Sequence, residues 1–228
     1  MPPFLAASAR LLAAATTLAL LTAAVPTTAQ AAGPWHGAGP VVPVDAAREP
    51  VYGQPASDYS VIVWLDPECP YCKMLGRTPE NVVDASGGRV NLAVRMMPLP
   101  MHGRAAFVAA ATAICVGQQA TAKGYYRFLD RYLQLTRTNG AGVPGGVDAL
   151  AQEAGIADLA KLSACVHAPE TVQTLGREYE AAGTAGVTGT PAIVVRDNRS
   201  GLVAMAEGAL DAADISRMIQ AMGAQKAD

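Results

Sequence analysis

Tyr59-Ser60-Val61-Ile62-Val63-Trp64-Leu65-Asp66-Pro67-Glu68-Cys69-Pro70-Tyr71-Cys72-Lys73 is the stretch from which the fold is read. Its first half is short, rich in β-branched residues and almost continuously apolar, which predicts a buried central strand ending at Asp66-Pro67. Proline is favoured at the first position of a helix because it has no N–H to leave unpaired there. Pro70 therefore predicts a helix that starts behind Cys69 and runs to about Asp84, with Gly87-Gly88 as its stop. Val90, Leu92, Val94 and Met96 then alternate with Asn91, Ala93, Arg95 and Met97, predicting a second strand that ends at Pro98. Strand, helix and strand make a βαβ unit, whose crossover is expected to be right-handed.

Beyond this unit the period changes. Alanine-rich helical sequence runs from Ala105 to about Ala182, broken at Asn139-Gly140-Ala141-Gly142-Val143-Pro144-Gly145-Gly146 and at Gly155. That is far longer than a single crossover needs, so a helical insertion is expected at about 103–184. Strand sequence returns at Ala192-Ile193-Val194-Val195, turns at Asp197-Asn198-Arg199-Ser200-Gly201 and pairs as a hairpin with Leu202-Val203-Ala204-Met205. An amphipathic helix from Ala212 to Met222 closes a domain expected to span 58–228. There is no internal repeat.

Upstream, residues 32–57 are rich in proline, glycine and small residues and read as a linker. Residues 1–31 carry one charge, Arg10, then an apolar run through Leu18-Ala19-Leu20-Leu21 and the small-residue site Ala29-Gln30-Ala31. This is the layout of a secretory signal peptide cleaved near Ala31. Thr16, Thr17 and Thr22 dilute the run and Pro26 breaks it, which argues against a membrane anchor. A periplasmic or secreted location follows. The full chain has 17 basic against 19 acidic residues, a net charge of −2, too little positive charge for a nucleic-acid groove.

All four cysteines lie after the signal, in a compartment where disulfides persist. Cys115 and Cys165 sit far apart in apolar helical contexts and are expected to form a structural disulfide between two insertion helices. Cys69 and Cys72 are separated by two residues at a helix start. A disulfide exchanger needs one easily ionised thiol and a second one close by to resolve the mixed disulfide. Unpaired N–H groups at the helix start favour the Cys69 thiolate, while Cys72 lies one turn further in. The alternatives are a zinc half-site and a structural disulfide. Zinc lacks a second half, because His36, His102 and His167 are scattered singly and read as surface or cap residues; no metal is expected. Asp66 and Glu68 read as solvated loop acids, and Tyr71 and Lys73 as exposed residues that tune potential and meet partners.

In Gly186-Val187-Thr188-Gly189-Thr190-Pro191-Ala192, a Thr-Pro stands at the head of the returning strand. Together with the cysteine motif it resembles the thioredoxin superfamily, in which a cis-proline loop lies against the active-site disulfide. Asp66-Pro67-Glu68-Cys69-Pro70-Tyr71-Cys72-Lys73 looks most like the active-site segment of DsbG-like proteins, and Thr190 before the proline also favours the DsbC/DsbG side. Pro98-Leu99-Pro100-Met101-His102, with the alanines that follow and Cys115, is similar instead to the start of the insertion in DsbA-like proteins.

The resemblance implies a thioredoxin-like α/β fold: a central mixed β-sheet flanked by helices, with the insertion between the βαβ unit and the cis-Pro191 strand. It implies a thiol:disulfide oxidoreductase in which Cys69, Cys72 and Pro191 are catalytic and Pro70, Tyr71 and Thr190 tune the site or touch substrate. The redox-active disulfide itself would serve in place of a cofactor. Partners would be proteins with thiols or disulfides, together with a membrane redox partner. Two departures stand out. Val63 occupies the position of a buried proton-handling acid of the superfamily, so that role is unfilled or falls to another group. The linker also stands where DsbC and DsbG carry a dimerisation domain, so an isomerase built on a dimeric cleft is not implied. A thiol-based copper-transfer module or an accessory assembly protein is the alternative class, and the direction of exchange stays open.

Overall fold

A computed structural model describes residues 35–224; the expected signal peptide, its cleavage site and the first residues of the linker lie outside the described residues. Three strands form the centre of a mixed sheet: β3 (Tyr59–Leu65), β4 (Val90–Met96) and β5 (Ala192–Asp197). β3 pairs in parallel with β4, from Tyr59↔Val90 to Leu65↔Met96, and antiparallel with β5, from Tyr59↔Asp197 to Trp64↔Ala192. β6 (Val203–Glu207) continues the sheet as a hairpin from β5.

The region read as a linker supplies both edges. β1 (His36–Gly37) pairs with β6 and β2 (Val51–Gly53) pairs with β4, giving the order β1-β6-β5-β3-β4-β2. Between them, buried Arg95 of β4 pairs with Glu49 and donates to the Val42 carbonyl, tying the segment to the domain. Strands of two and three residues are too short to show a period, and a sheet edge offers backbone groups that need a partner whatever the side chains.

Alternation along β3 sorts its side chains to two layers, since successive residues point to opposite faces. Val61, Val63 and Leu65 join one apolar cluster with Val82 and Val83 of α2 (Thr78–Ala85) and Ile215, Met218 and Met222 of α8 (Ala212–Ala224). Ile62 and Trp64 face Ala182 and Ala185 of α7 (Pro169–Ala185) in a second cluster.

The single helix expected from Pro70 to Asp84 is two helices. α1 (Pro70–Leu75) ends at Gly76, which has φ +48°, and α2 begins two residues later. Pro79 accounts for the break, since it lacks the N–H that would bond to the Leu75 carbonyl and its ring would clash there; glycine takes the positive φ without a Cβ penalty.

The insertion is α3 (Gly103–Gln119), α4 (Ala122–Leu135), α5 (Asp148–Glu153), α6 (Leu159–Val166) and α7. A disulfide joins Cys115 of α3 to Cys165 of α6, with Cα atoms 5.9 Å apart. α4 docks on the sheet through phenols: Tyr125 donates to the Val94 carbonyl at 2.7 Å and Tyr126 to that of Leu92 at 2.8 Å.

Candidate active site at the start of the first helix

Strand register assembles the site. Trp64 lies opposite Ala192, so the turn that leaves β3 meets the loop that enters β5. Cys69, in extended conformation (φ −75°, ψ 127°), precedes Pro70 at the first helical position, and its carbonyl accepts from Lys73 N–H at 3.0 Å to close the first turn. Its sulfur lies 3.2 Å from the carbonyl oxygen of Thr190, to which the thiol donates, and the Thr190-Pro191 bond is cis. Glu207 of β6 clamps the same loop: its carboxylate accepts from the N–H groups of Thr188 and Gly189 and from the Thr188 hydroxyl. Burial pushes Glu207 up, but these donors outweigh it and hold the carboxyl below its ordinary value.

Cys69 and Cys72 are both free thiols and differ in acidity. Cys69 falls from an ordinary 9.0 to about 5. The largest cause is the hydrogen bond from the Cys72 thiol. Burial opposes it, and the Thr190 hydroxyl and the N–H groups of Cys72 and Tyr71 add to the lowering. The Thr190 hydroxyl is buried and has no hydrogen-bond partner, so it is free to turn to the thiolate. Cys72 has no accessible surface, and burial, followed by the neighbouring Cys69, drives its thiol well up. The sequence pointed to the helix start as the source of Cys69 acidity. The N–H groups there do contribute, but the second cysteine contributes more. Nor is the more acidic thiol broadly open: Cys69 is only 4% exposed, covered by the 190–191 loop, whereas Tyr71 is 59% exposed.

Three residues read from sequence as solvated are buried here. Asp66 has no accessible surface; its carboxylate accepts from the N–H groups of Glu68 and Leu99, both at 2.8 Å, and lies 2.6 Å from His102 Nδ1. The register Leu65↔Met96 delivers Leu99 and His102 to it, because both chains leave the sheet side by side. His102 is therefore no surface residue; it stands at the N-cap of α3, but its ring pairs with Asp66 and does not cap the helix. Glu68, also without accessible surface, takes hydrogen bonds from Tyr132, Thr136 and Gly142 of the insertion. Gly140 of that loop packs so closely on His102 that a Cβ would stand 2.7 Å from the His102 carbonyl oxygen. The only local hint of these contacts is the Asp66-Pro67-Glu68 acid pair set between an apolar strand and a helix start. Lys73, read as exposed, reaches the Thr136 carbonyl at 2.6 Å.

An acidic thiol, a deeply covered second thiol and a carbonyl at contact distance form an arrangement suited to thiol–disulfide exchange, in which attack needs a thiolate and a second thiol close by can resolve the adduct. Comparison with known proteins agrees. A family model described as Thioredoxin matches residues 45–221. DsbA2 of Pseudomonas aeruginosa superposes with a TM-score of 0.71 and 30% identity, over 82% of this chain and 99% of that one. A thioredoxin-like oxidoreductase from Silicibacter pomeroyi DSS-3 gives 0.63 and 28%, over 79% and 94%. BdbD of Bacillus subtilis, at 18% identity and a TM-score of 0.65, covering 82% and 98%, shares the fold. A search of curated protein sequences found no match.

Proposed function

The chain belongs to the thioredoxin family, whose model spans most of it, and from that premise we propose that it is an exported thiol:disulfide oxidoreductase of the DsbA-like kind. In this proposal Cys69 exchanges with protein substrates, Cys72 resolves and the Cys69–Cys72 pair inserts disulfides. The observation that carries the proposal is the asymmetry of the pair, with Cys69 near 5 and Cys72 pushed far above 9.0. A stabilised Cys69 thiolate stabilises the reduced form, and a pair whose reduced form is stabilised is an oxidant.

In the oxidised protein, a substrate thiolate attacks Cys69 Sγ and breaks the Cys69–Cys72 bond; Cys72 leaves and takes up a proton, as its high pKa demands. A second substrate thiolate then attacks the substrate sulfur of the mixed disulfide and expels the Cys69 thiolate, which the Cys72 thiol and the Tyr71 and Cys72 N–H groups stabilise. The substrate has lost two electrons and gained a disulfide, and the protein is a dithiol. A membrane redox partner outside the cytoplasm would reoxidise it. Thr190 and Pro191 form the wall where an extended substrate segment lies, and exposed Tyr71 borders it.

The experiment equilibrates the protein with glutathione and offers it a reduced, unfolded substrate. Rapid oxidation of that substrate, abolished by Cys69→Ser, with mixed disulfides accumulating in Cys72→Ser, is the expected result. A strongly reducing equilibrium with efficient insulin reduction would instead make it a reductase or isomerase. If wild type exchanges nothing, the proposal gives way to a thiol-based copper-transfer module.

A further inference from the structure

Exchange chemistry occupies Cys69, Cys72 and the Thr190-Pro191 loop, and it leaves a buried acid beside the nucleophile without a task. Glu68 directly precedes Cys69 and has no accessible surface. One carboxylate oxygen accepts from the Tyr132 hydroxyl at 2.7 Å and the Thr136 hydroxyl at 2.5 Å, the other from Gly142 N–H at 2.9 Å. Its main-chain carbonyl accepts from Asn139 N–H at 2.8 Å. Every one of these donors lies at the end of α4 or in the loop behind it. On the far side of Cys69, Lys73 donates to the Thr136 carbonyl, so the same loop holds the active-site turn from both sides.

A carboxylate without access to water is tolerated only where donors surround it. Here the donors come from the insertion while the charge sits one residue from the reacting sulfur. We infer that Glu68 is a positioning residue that sets the acidity of Cys69, and that the insertion adjusts this setting through Tyr132, Thr136 and Gly142. The inference rests on the exchange function proposed for Cys69. Its physics is Coulombic: Glu68 adjoins Cys69 in the chain, and a negative charge there, in a poorly solvated site, opposes a second negative charge on the thiolate. Donors that compensate the carboxylate weaken that opposition.

The two kinds of substitution should then act in opposite directions. Glu68→Gln removes the charge and keeps the size, so the Cys69 thiolate gains stability. Thr136→Val or Tyr132→Phe keeps the charge and removes one compensating donor, so the thiolate loses stability. The other ionisable groups facing the turn are Cys72 and Lys73 of α1, Asp66 with His102, and Tyr132 of α4. All but Tyr132 are the same in every variant, and Thr136→Val leaves Tyr132 in place too. Burial, and after it Glu68, pushes the Tyr132 phenol far up, so it remains a donor across the working range.

The test uses the full chain and two readouts: titration of the Cys69 thiolate by its ultraviolet absorbance, and the equilibrium constant with glutathione. Glu68→Gln should shift that constant at least about threefold toward the reduced protein, and Thr136→Val about threefold the other way, half a pKa unit each. On the Glu68→Gln background, Thr136→Val should have no further effect. Shifts of the same sign, or lowered melting temperatures with an unchanged Cys69 titration, overturn the inference and leave Glu68 a structural tie. Should Glu68→Gln fail to fold, Thr136→Val and Tyr132→Phe still decide. A wild type that exchanges nothing with glutathione would defeat the proposed function, whereas the thiolate titrations would still decide whether Glu68 governs Cys69 acidity.

Discussion

Replacing Cys72 by Ala and by Ser separates the causes of Cys69 acidity. The thiol of Cys72 is the largest influence holding Cys69 at about 5 instead of 9.0. Alanine deletes that donor, whereas serine keeps an O–H in nearly the same place. The displacement of about four units makes the Cys69 thiolate of the folded, reduced protein more stable than that of the unfolded chain. Cys69 is an acid whose folded pKa is depressed, so this stability is fully present above 9.0 and is lost as pH falls through about 5. At pH 7 linkage gives roughly 3 kcal/mol, and water at the mouth of the site screens part of it, leaving about 2 kcal/mol. The reduced protein should therefore gain stability as pH rises from 5 toward 9, while the oxidised protein, which has no Cys69 proton to lose, should not. Thiolate absorbance against pH gives the midpoint, and urea unfolding of both redox forms gives the stability difference. In Cys72→Ala the midpoint should move up by a unit or more, and in Cys72→Ser it should stay within about a unit of wild type. A wild-type midpoint near 9, or one near 5 that alanine leaves unmoved, would show that the Cys72 thiol does not set the acidity of Cys69.

The Cys115–Cys165 disulfide closes a loop across 50 positions, for which chain entropy gives about 4 kcal/mol; the double Ala variant should lose close to that in urea unfolding, and a loss below about 1 kcal/mol would mean the insertion is held by packing alone. Burial raises Glu80, 6% exposed on α2, from 4.5 to about 7, with Asp130 adding to the rise against Arg77. The folded protein therefore binds the extra proton, and Glu80 takes away stability as pH rises from 4.5 to 7; Glu80→Gln should flatten this fall and stabilise at pH 8 by at most about 3 kcal/mol, measured as a difference in unfolding free energy. Glu207→Ala should speed amide exchange at Thr188 and Gly189 about tenfold or more by freeing their N–H groups, with a global stability change near 1 kcal/mol, the ordinary worth of such hydrogen bonds; unchanged exchange would show that the loop holds itself.

The features legible before folding lie within a few residues of where they are written. β3 and β4 appear with the bounds that apolar continuity, Pro67 and Pro98 imply, and α1 starts where Pro70 places it, because strand period and helix start are set by neighbours a turn or less away. The Cys69–Cys72 pair was legible for the same reason. Which polar groups are buried follows from contacts between distant parts of the chain. Asp66 finds Leu99 and His102 at separations of 33 and 36 residues, and Glu68 finds Tyr132, Thr136 and Gly142 at 64 to 74. The two edge strands likewise exist only because β6 and β4 present open backbone to them. An acid in a turn reads the same in sequence whether water or a distant hydroxyl takes its lone pairs, since burying the charge is a matter of donors brought by strand register and by the insertion.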